Sequence, residues 1–151
     1  MPGTFRLARP EDLPAMTRLR TSVRENHMSI EGMAALGITL ESVTAELNAG
    51  HLGGWVAEED GVILSFSMAD RRDGHIFALF TMPGFEGRGY GTRLLSLATG
   101  WLREQGWDRV WLSTDPGTTA DRFYAARGWT RGELRPNGEV VRTPWAPHTC
   151  T

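Results

Sequence analysis

Pro83-Gly84-Phe85-Glu86-Gly87-Arg88-Gly89-Tyr90-Gly91-Thr92 is the most informative stretch of this chain. Before it stands Ile76-Phe77-Ala78-Leu79-Phe80, a continuous apolar run that predicts a buried strand. After it, Thr92-Arg93-Leu94-Leu95-Ser96-Leu97-Ala98 predicts a helix. The first N–H groups of a helix have no partner inside it. The helix dipole makes that end favourable for negative charge. Glycines at 87, 89 and 91 remove side chains that would hold a ligand away from the backbone, and Arg88 adds positive charge. The local expectation is a cradle for phosphate, above all a pyrophosphate. An ordinary tight turn has the same composition, so the glycines alone leave both readings open.

Spelling removes two named alternatives. A P-loop ends in Gly-Lys-Ser or Gly-Lys-Thr, and this stretch has no lysine. A dinucleotide fingerprint needs G-x-G-x-x-G, but counting from Gly87 or Gly89 ends on Thr92 or Leu94. What Glu86-Gly87-Arg88-Gly89-Tyr90-Gly91 does resemble is the Gln/Arg-x-x-Gly-x-Gly/Ala signature of the GNAT acyltransferases. It departs at the first position, where Glu86 replaces Gln or Arg. Leu79-Phe80-Thr81-Met82-Pro83 is similar to the strand and strand exit that precede the signature in that family.

Composition sets wide bounds. The chain has 151 residues, enough for one domain with one core. Charged residues are 23% and hydrophobic ones 40%, as in globular domains. No apolar run approaches a membrane span. The first residues lack the basic-then-apolar pattern of a secretory signal. A net charge of −2 argues against nucleic acid as the main partner. The single cysteine, Cys150, precludes a disulfide within the chain, and a cytoplasmic setting is the default expectation. At the end of the chain it is a poor nucleophile, because nothing packs there to hold it near a base.

Taken in order, Thr4 to Ala8 alternates as a strand, and Pro10-Glu11-Asp12 breaks it. Leu13, Met16, Leu19 and Val23 give a first helix that ends near Arg24-Glu25-Asn26-His27. Met28 to Gly37 reads as a connection, and Leu40, Val43 and Leu47 mark a second helix that stops at Gly50. Trp55 to Glu58 and Val62 to Met68 flank Asp60-Gly61, a hairpin signal. Arg71-Arg72-Asp73-Gly74 turns the chain into a strand from His75 to Met82, the third of an antiparallel run. The helix after the glycine turn carries Leu94, Leu95, Ala98, Trp101 and Leu102 and stops at Gly106. Arg109 to Ser113 reads as a strand that a helical crossover allows to run parallel to the strand before Pro83. Ala120 to Arg127 is a short helix with Gly128 as its stop. Trp129 to Leu134 and Glu139 to Arg142 form a closing hairpin about Asn137-Gly138, and residues 144–151 read as a tail. The six tryptophans, among them Trp145, read mainly as core or sheet-face residues.

This order of strand, two helices, three strands, helix, strand, helix and two strands is similar to the GNAT order. The resemblance implies an α/β (α+β) fold, one acetyltransferase domain over residues 1–151, with a mixed central sheet of about seven strands and about four helices. It implies acetyl-CoA as co-substrate, with no metal. The pyrophosphate would meet Glu86, Gly87, Arg88, Gly89, Tyr90, Gly91 and Thr92. The pantetheine arm would run along Leu79, Phe80 and Thr81, where the family's fourth and fifth strands splay apart. A backbone N–H near Phe80 or Thr81 would face the thioester oxygen. Glu86 would turn outward or cap a nearby N–H, because its charge opposes phosphate.

Phe123-Tyr124-Ala125-Ala126-Arg127-Gly128-Trp129 resembles the family's Phe-Tyr-x-x-x-Gly-Phe segment. The resemblance makes Tyr124 the acid that protonates the leaving sulfur, whereas spacing alone equally suits a core aromatic. At the position of Gly117 the family often carries an Asn that contacts the cofactor, which a glycine cannot do. A base must take the amine's proton. Glu25, His27, Asp70 and His75 are all candidates, and a water relay is a further one. The irregular segment that lines the acceptor side in this family points to Arg24, Glu25, Asn26 and His27, with His75, as acceptor-binding residues. The acceptor would be a small-molecule or peptide amine. Neither nucleic acid nor membrane is expected as a partner, and a homodimer is compatible with the resemblance. The competing function is a non-catalytic acyl-CoA-binding regulatory module, towards which Glu86 and Gly117 lean.

Overall fold

A computed structural model describes residues 3–22 and 39–144. The expected acceptor-side residues Arg24, Glu25, Asn26 and His27 lie outside the described residues, as do Trp145 and Cys150. Seven strands and four α-helices are present among the described residues. Strands β1 (Thr4–Leu7), β2 (Leu52–Glu59), β3 (Val62–Asp70) and β4 (His75–Thr81) form an antiparallel sheet in that order. Strands β5 (Leu112–Thr114), β6 (Thr130–Leu134) and β7 (Val140–Thr143) form a second sheet in the order β5-β7-β6. The helices are α1 (Leu13–Ser22), α2 (Leu40–Asn48), α3 (Tyr90–Glu104) and α4 (Thr119–Ala126).

The two central strands of the first sheet are covered on both faces. In β2 and β3, Val56, Ala57, Ser65 and Ser67 are fully buried. On one face α3 lays down Tyr90, Leu94, Leu95, Ala98 and Leu102, the 3.6-residue rhythm of an amphipathic helix. Ser67 donates its hydroxyl to the Leu94 carbonyl at 3.0 Å, so a small buried side chain lets helix and sheet approach closely. On the other face Leu13, Met16 and Leu19 of α1 pack with Leu52, Val56, Phe66, Met68 and Ala78. The turns fall where Asp60-Gly61 and Asn137-Gly138 mark them, and Asp60 takes a positive φ of 52°.

Two expectations are corrected. The strand expected over Arg109 to Ser113 is Leu112–Thr114. Its parallel pairing with β4 shrinks to one bridge, His75 opposite Trp111. There the Ile76 N–H donates to the Trp111 carbonyl at 2.9 Å, and the Trp111 N–H to the Gly74 carbonyl at 3.1 Å. Beyond that point β5 pairs with β7 instead, through Leu112 and Arg142. The second strand of the closing hairpin thus inserts beside β5, and the two sheets part. Helix α3 also starts earlier than expected, at Tyr90 rather than Thr92.

β4 carries a bulge. Its register runs from Met68 opposite Ala78 to Ala69 opposite Ile76, which leaves Phe77 unmatched.

Candidate active site

The site follows from the parting of the sheets. Past Ile76 the outer edge of β4 has no strand partner among the described residues. Backbone groups alternate in direction along a strand. The Met82 N–H donates to the Leu64 carbonyl at 2.7 Å, and Phe80 stands opposite Phe66. Met82 and Phe80 therefore spend their backbone groups on β3, and Leu79 and Thr81 turn theirs to the open edge. This corrects the expectation for Phe80: its N–H faces β3, and Leu79 and Thr81 remain as donors. Thr81 is held from the other side, with its Oγ1 2.8 Å from Ser65 Oγ.

The open edge leads into the glycine turn. Gly89 is the N-cap residue of α3, with φ 85° and no side chain to cap the helix. The first intrahelical bond runs from the Arg93 N–H to the Gly89 carbonyl, so the amides of Tyr90, Gly91 and Thr92 have no partner inside the helix. No acidic residue stands in the first turn of α3. A Cβ placed on Gly87 or Gly89 would meet nothing within 4 Å. Free amides, a dipole end and open space therefore coincide there, and they suit an anion.

Other members of the predicted cradle have different duties. A Cβ on Gly91 would come within 3.1 Å of the Phe123 ring, so its smallness serves packing of α3 against α4. The Tyr90 side chain is buried, edge-on to Phe5 at 5.9 Å, with its hydroxyl on the Glu59 carboxylate. Only its backbone faces the turn. Glu86 Oε1 accepts from the Gly84 N–H at 2.9 Å, the cap expected of it. Arg88 lies over the Phe85 ring at 4.6 Å and pairs with Glu59 at 3.3 Å. Thr92 Oγ1 accepts from Arg127 Nε at 2.7 Å. The pairings of Glu59 and Arg127 join residues 29 and 35 positions apart, and no local pattern announces them.

Tyr124 belongs to the same hydrophobic cluster as Ile76 of β4 and Leu94 of α3, and Leu79 packs against that cluster. The ring is buried, 5.4 Å from Phe123 and 6.2 Å from Trp129. Burial pushes its phenol well above the usual tyrosine range, where the proton is held more tightly still. A buried ion pair holds its helix. Arg142 Nε donates to Asp121 Oδ1 at 2.6 Å, and Arg142 Nη1 to the Trp129 carbonyl at 2.6 Å. Burial alone would raise the Asp121 carboxyl, but the bonds from Arg142 and the Gly117 N–H outweigh it and hold it below its ordinary value. Gly117 sits at φ 80°, a conformation that glycine and asparagine tolerate best.

The structure separates His75 from the cradle. It starts β4, six residues before Thr81, so the two stand roughly 20 Å apart. Its ring stacks on Trp111 at 4.1 Å, and Arg135 covers the same indole at 5.1 Å. Burial pushes its imidazole below the usual histidine value. Asp70 is engaged by Arg72, which donates from both its backbone and its guanidinium. That removes it as a free base. No group of three His, Cys, Asp or Glu that could hold a metal is present among the described residues, and no helix among them is long and apolar enough to cross a membrane.

Solved structures of the same shape are numerous. The PaiA N-acetyltransferase of Thermoplasma acidophilum, in complex with coenzyme A, superposes with a TM-score of 0.78 at 16% identity, over 97% of this chain and 100% of that one. The yncA protein of Salmonella typhimurium, with its cofactor acetyl-CoA, gives 0.73 at 19% identity over 99% and 100%. The ribosomal-protein-alanine N-acetyltransferase of Brucella melitensis gives 0.71 at 17% over 95% and 99%. At these identities the likeness is one of fold. No curated protein sequence matches the chain. The model of the acetyltransferase (GNAT) family matches residues 16–129, from α1 to the start of β6 and across the whole junction built above. The chain belongs to the GNAT acetyltransferase family.

Proposed function

We propose that this chain is an N-acetyltransferase that moves the acetyl group of acetyl-CoA to a primary amine of a small molecule or peptide, by direct attack within a ternary complex. The observation that carries the reading is the unpaired edge of β4 running straight into the uncapped start of α3. Residues 1–151 are taken as one catalytic domain working in the cytoplasm.

Acetyl-CoA supplies a thioester carbonyl for the amine and a sulfur that can leave as a thiol. The residues present fit it. The amides of Tyr90, Gly91 and Thr92 would hold the diphosphate, with Gly87 and Gly89 leaving room for it. The Leu79 and Thr81 backbone would pair with pantetheine amides as an added strand would. One of those two N–H groups would also face the oxygen that gains charge during attack. As the N–C bond forms and the C–S bond breaks, the nitrogen loses one proton and the sulfur gains one. Tyr124, a phenol protonated at neutral pH, is the donor to sulfur. The nitrogen's proton passes to water, since His75 stands at the far end of β4 from the thioester.

The test is thiol release from acetyl-CoA across a panel of amines. Tyr124→Phe should lower kcat by roughly a hundredfold while leaving CoA affinity unchanged. CoA binding without turnover on any amine would instead favour the regulatory module.

A further inference from the structure

We propose that Arg127 is a phosphate-binding residue of the CoA site, a role that rests on the reading just given and that Arg88 does not fill. The signature's first position carries Glu86, so the cation that Arg could have supplied there is missing. Arg88 is turned to Glu59 at 3.3 Å, which neutralises it. Arg127 comes from the far end of α4 and is already fixed in place. Its Nε donates to Thr92 Oγ1 at 2.7 Å and its Nη1 to the Phe123 carbonyl at 3.1 Å, and its guanidinium lies 3.7 Å from the centre of the Phe123 ring. Among the described residues it meets no carboxylate.

This placement is informative because it costs something. Arg127 caps the negative end of α4, which is favourable, yet the same contact sets a guanidinium on the first turn of α3, where the dipole is positive and no acid is present. The guanidinium and the start of α3, both positive, are held together with no carboxylate of the described residues between them. A phosphoryl oxygen there would accept from both. There is also room beside the guanidinium. Thr92 and Arg127 line a groove of about 360 Å³ that continues past Ser96 and Thr99 to Arg103. The phosphoryl group is either one of the diphosphate or the 3′-phosphate of the nucleotide. Both offer the charge and oxygens that an arginine fork matches.

The test compares Arg127→Gln with the unaltered chain against CoA, dephospho-CoA and S-acetylpantetheine. CoA affinity should fall roughly tenfold. Its dependence on salt should become shallower, and the melting temperature without ligand should change little. Arg127→Lys, which keeps the charge, should recover most of the affinity. If the loss vanishes with dephospho-CoA, the 3′-phosphate is the partner. If it persists there and vanishes in the KM for S-acetylpantetheine, the diphosphate is. Equal affinity for CoA, or the same loss with S-acetylpantetheine, overturns the proposal, because an arginine that only caps α4 cannot tell these donors apart. Should Arg127→Gln fail to fold, Thr92→Val, which removes the hydroxyl that aims the guanidinium, carries the same comparison. If the unaltered chain binds no CoA, the cradle itself is wrong. If it binds and both variants bind equally, only Arg127 is.

Discussion

The chain contains two strand–turn–helix junctions built to one plan and finished differently. Both β4 to α3 and β5 to α4 pass through a glycine with φ near 80°. At the second junction the chain satisfies itself. Thr118 caps α4 by accepting from the Asp121 N–H at 3.2 Å, the Gly117 N–H donates to Asp121 Oδ2 at 2.9 Å, and Arg122 donates to the Gly117 carbonyl at 2.6 Å. The Asp121 carboxylate supplies the negative charge that a helix start favours. At the first junction the cap residue is a glycine, the first turn of α3 holds no acid, Glu86 turns back to Gly84, and Glu59 is taken up by Arg88 and the Tyr90 hydroxyl. A helix start that a chain closes with its own side chains is structure. One that it leaves uncapped and unobstructed is a place for something else.

Variants can break this contrast from either side. The largest effect should come from Asp121→Ala, which leaves Arg142 buried without its partner and should cost about 3–5 kcal/mol in chemical denaturation. The closed junction should also be acid-sensitive. Asp121 holds its proton less tightly folded than unfolded, so its stabilisation is present above about pH 3.8 and is lost as pH falls through the lower folded value. Asp121→Asn should flatten that acid limb, and an unchanged limb would remove Asp121 from the account. Next comes Gly89→Val at the open junction. A branched side chain at φ 85° should cost about 1–3 kcal/mol in backbone strain, and it would fill the space before the free amides. Isothermal titration should find CoA binding weakened by well over the loss in stability. Thr118→Ala, which strips the cap from the closed junction, should cost about 1 kcal/mol by thermal melting and leave CoA affinity alone. The smallest effect is expected for Glu86→Ala. It should change stability by about 0.5 kcal/mol or less and tighten CoA slightly, since a negative charge leaves the cradle. Weaker binding would mean that the Gly84 contact shapes the turn.

How much of this could be read in advance divides along the same line. Gly87 and Gly89, the flanking apolar runs and the Asp-Gly and Asn-Gly turns carry their meaning in adjacent residues, so the junction and seven strands were legible. The Gly117 position was legible as a departure. Its left-handed φ gives the physical reason why a glycine or an asparagine stands there. The smallness of Gly91 was assigned to the cradle, whereas it makes room for Phe123, which arrives from another helix. Arg88 was read as free charge for the same reason, since Glu59 lies on β2. The Asp121–Arg142 pair spans 21 positions and has no periodic trace. The single bridge between β4 and β5 was also beyond reach. Pairing of β5 depends on which neighbour wins, and β7 wins from thirty residues downstream.

The unmatched Phe77 restricts how this protein can change. A strand presents alternate residues to opposite sides, and the extra residue resets the count partway along β4. Removing Phe77 would leave Met68 opposite Ala78 and Ala69 opposite Ile76, so the bulge can be lost without exchanging the amides that β3 uses for those left for the donor, whereas a residue added or lost between Ala78 and Thr81 would exchange them. Changes of length in this strand are therefore expected at the bulge and not beyond it.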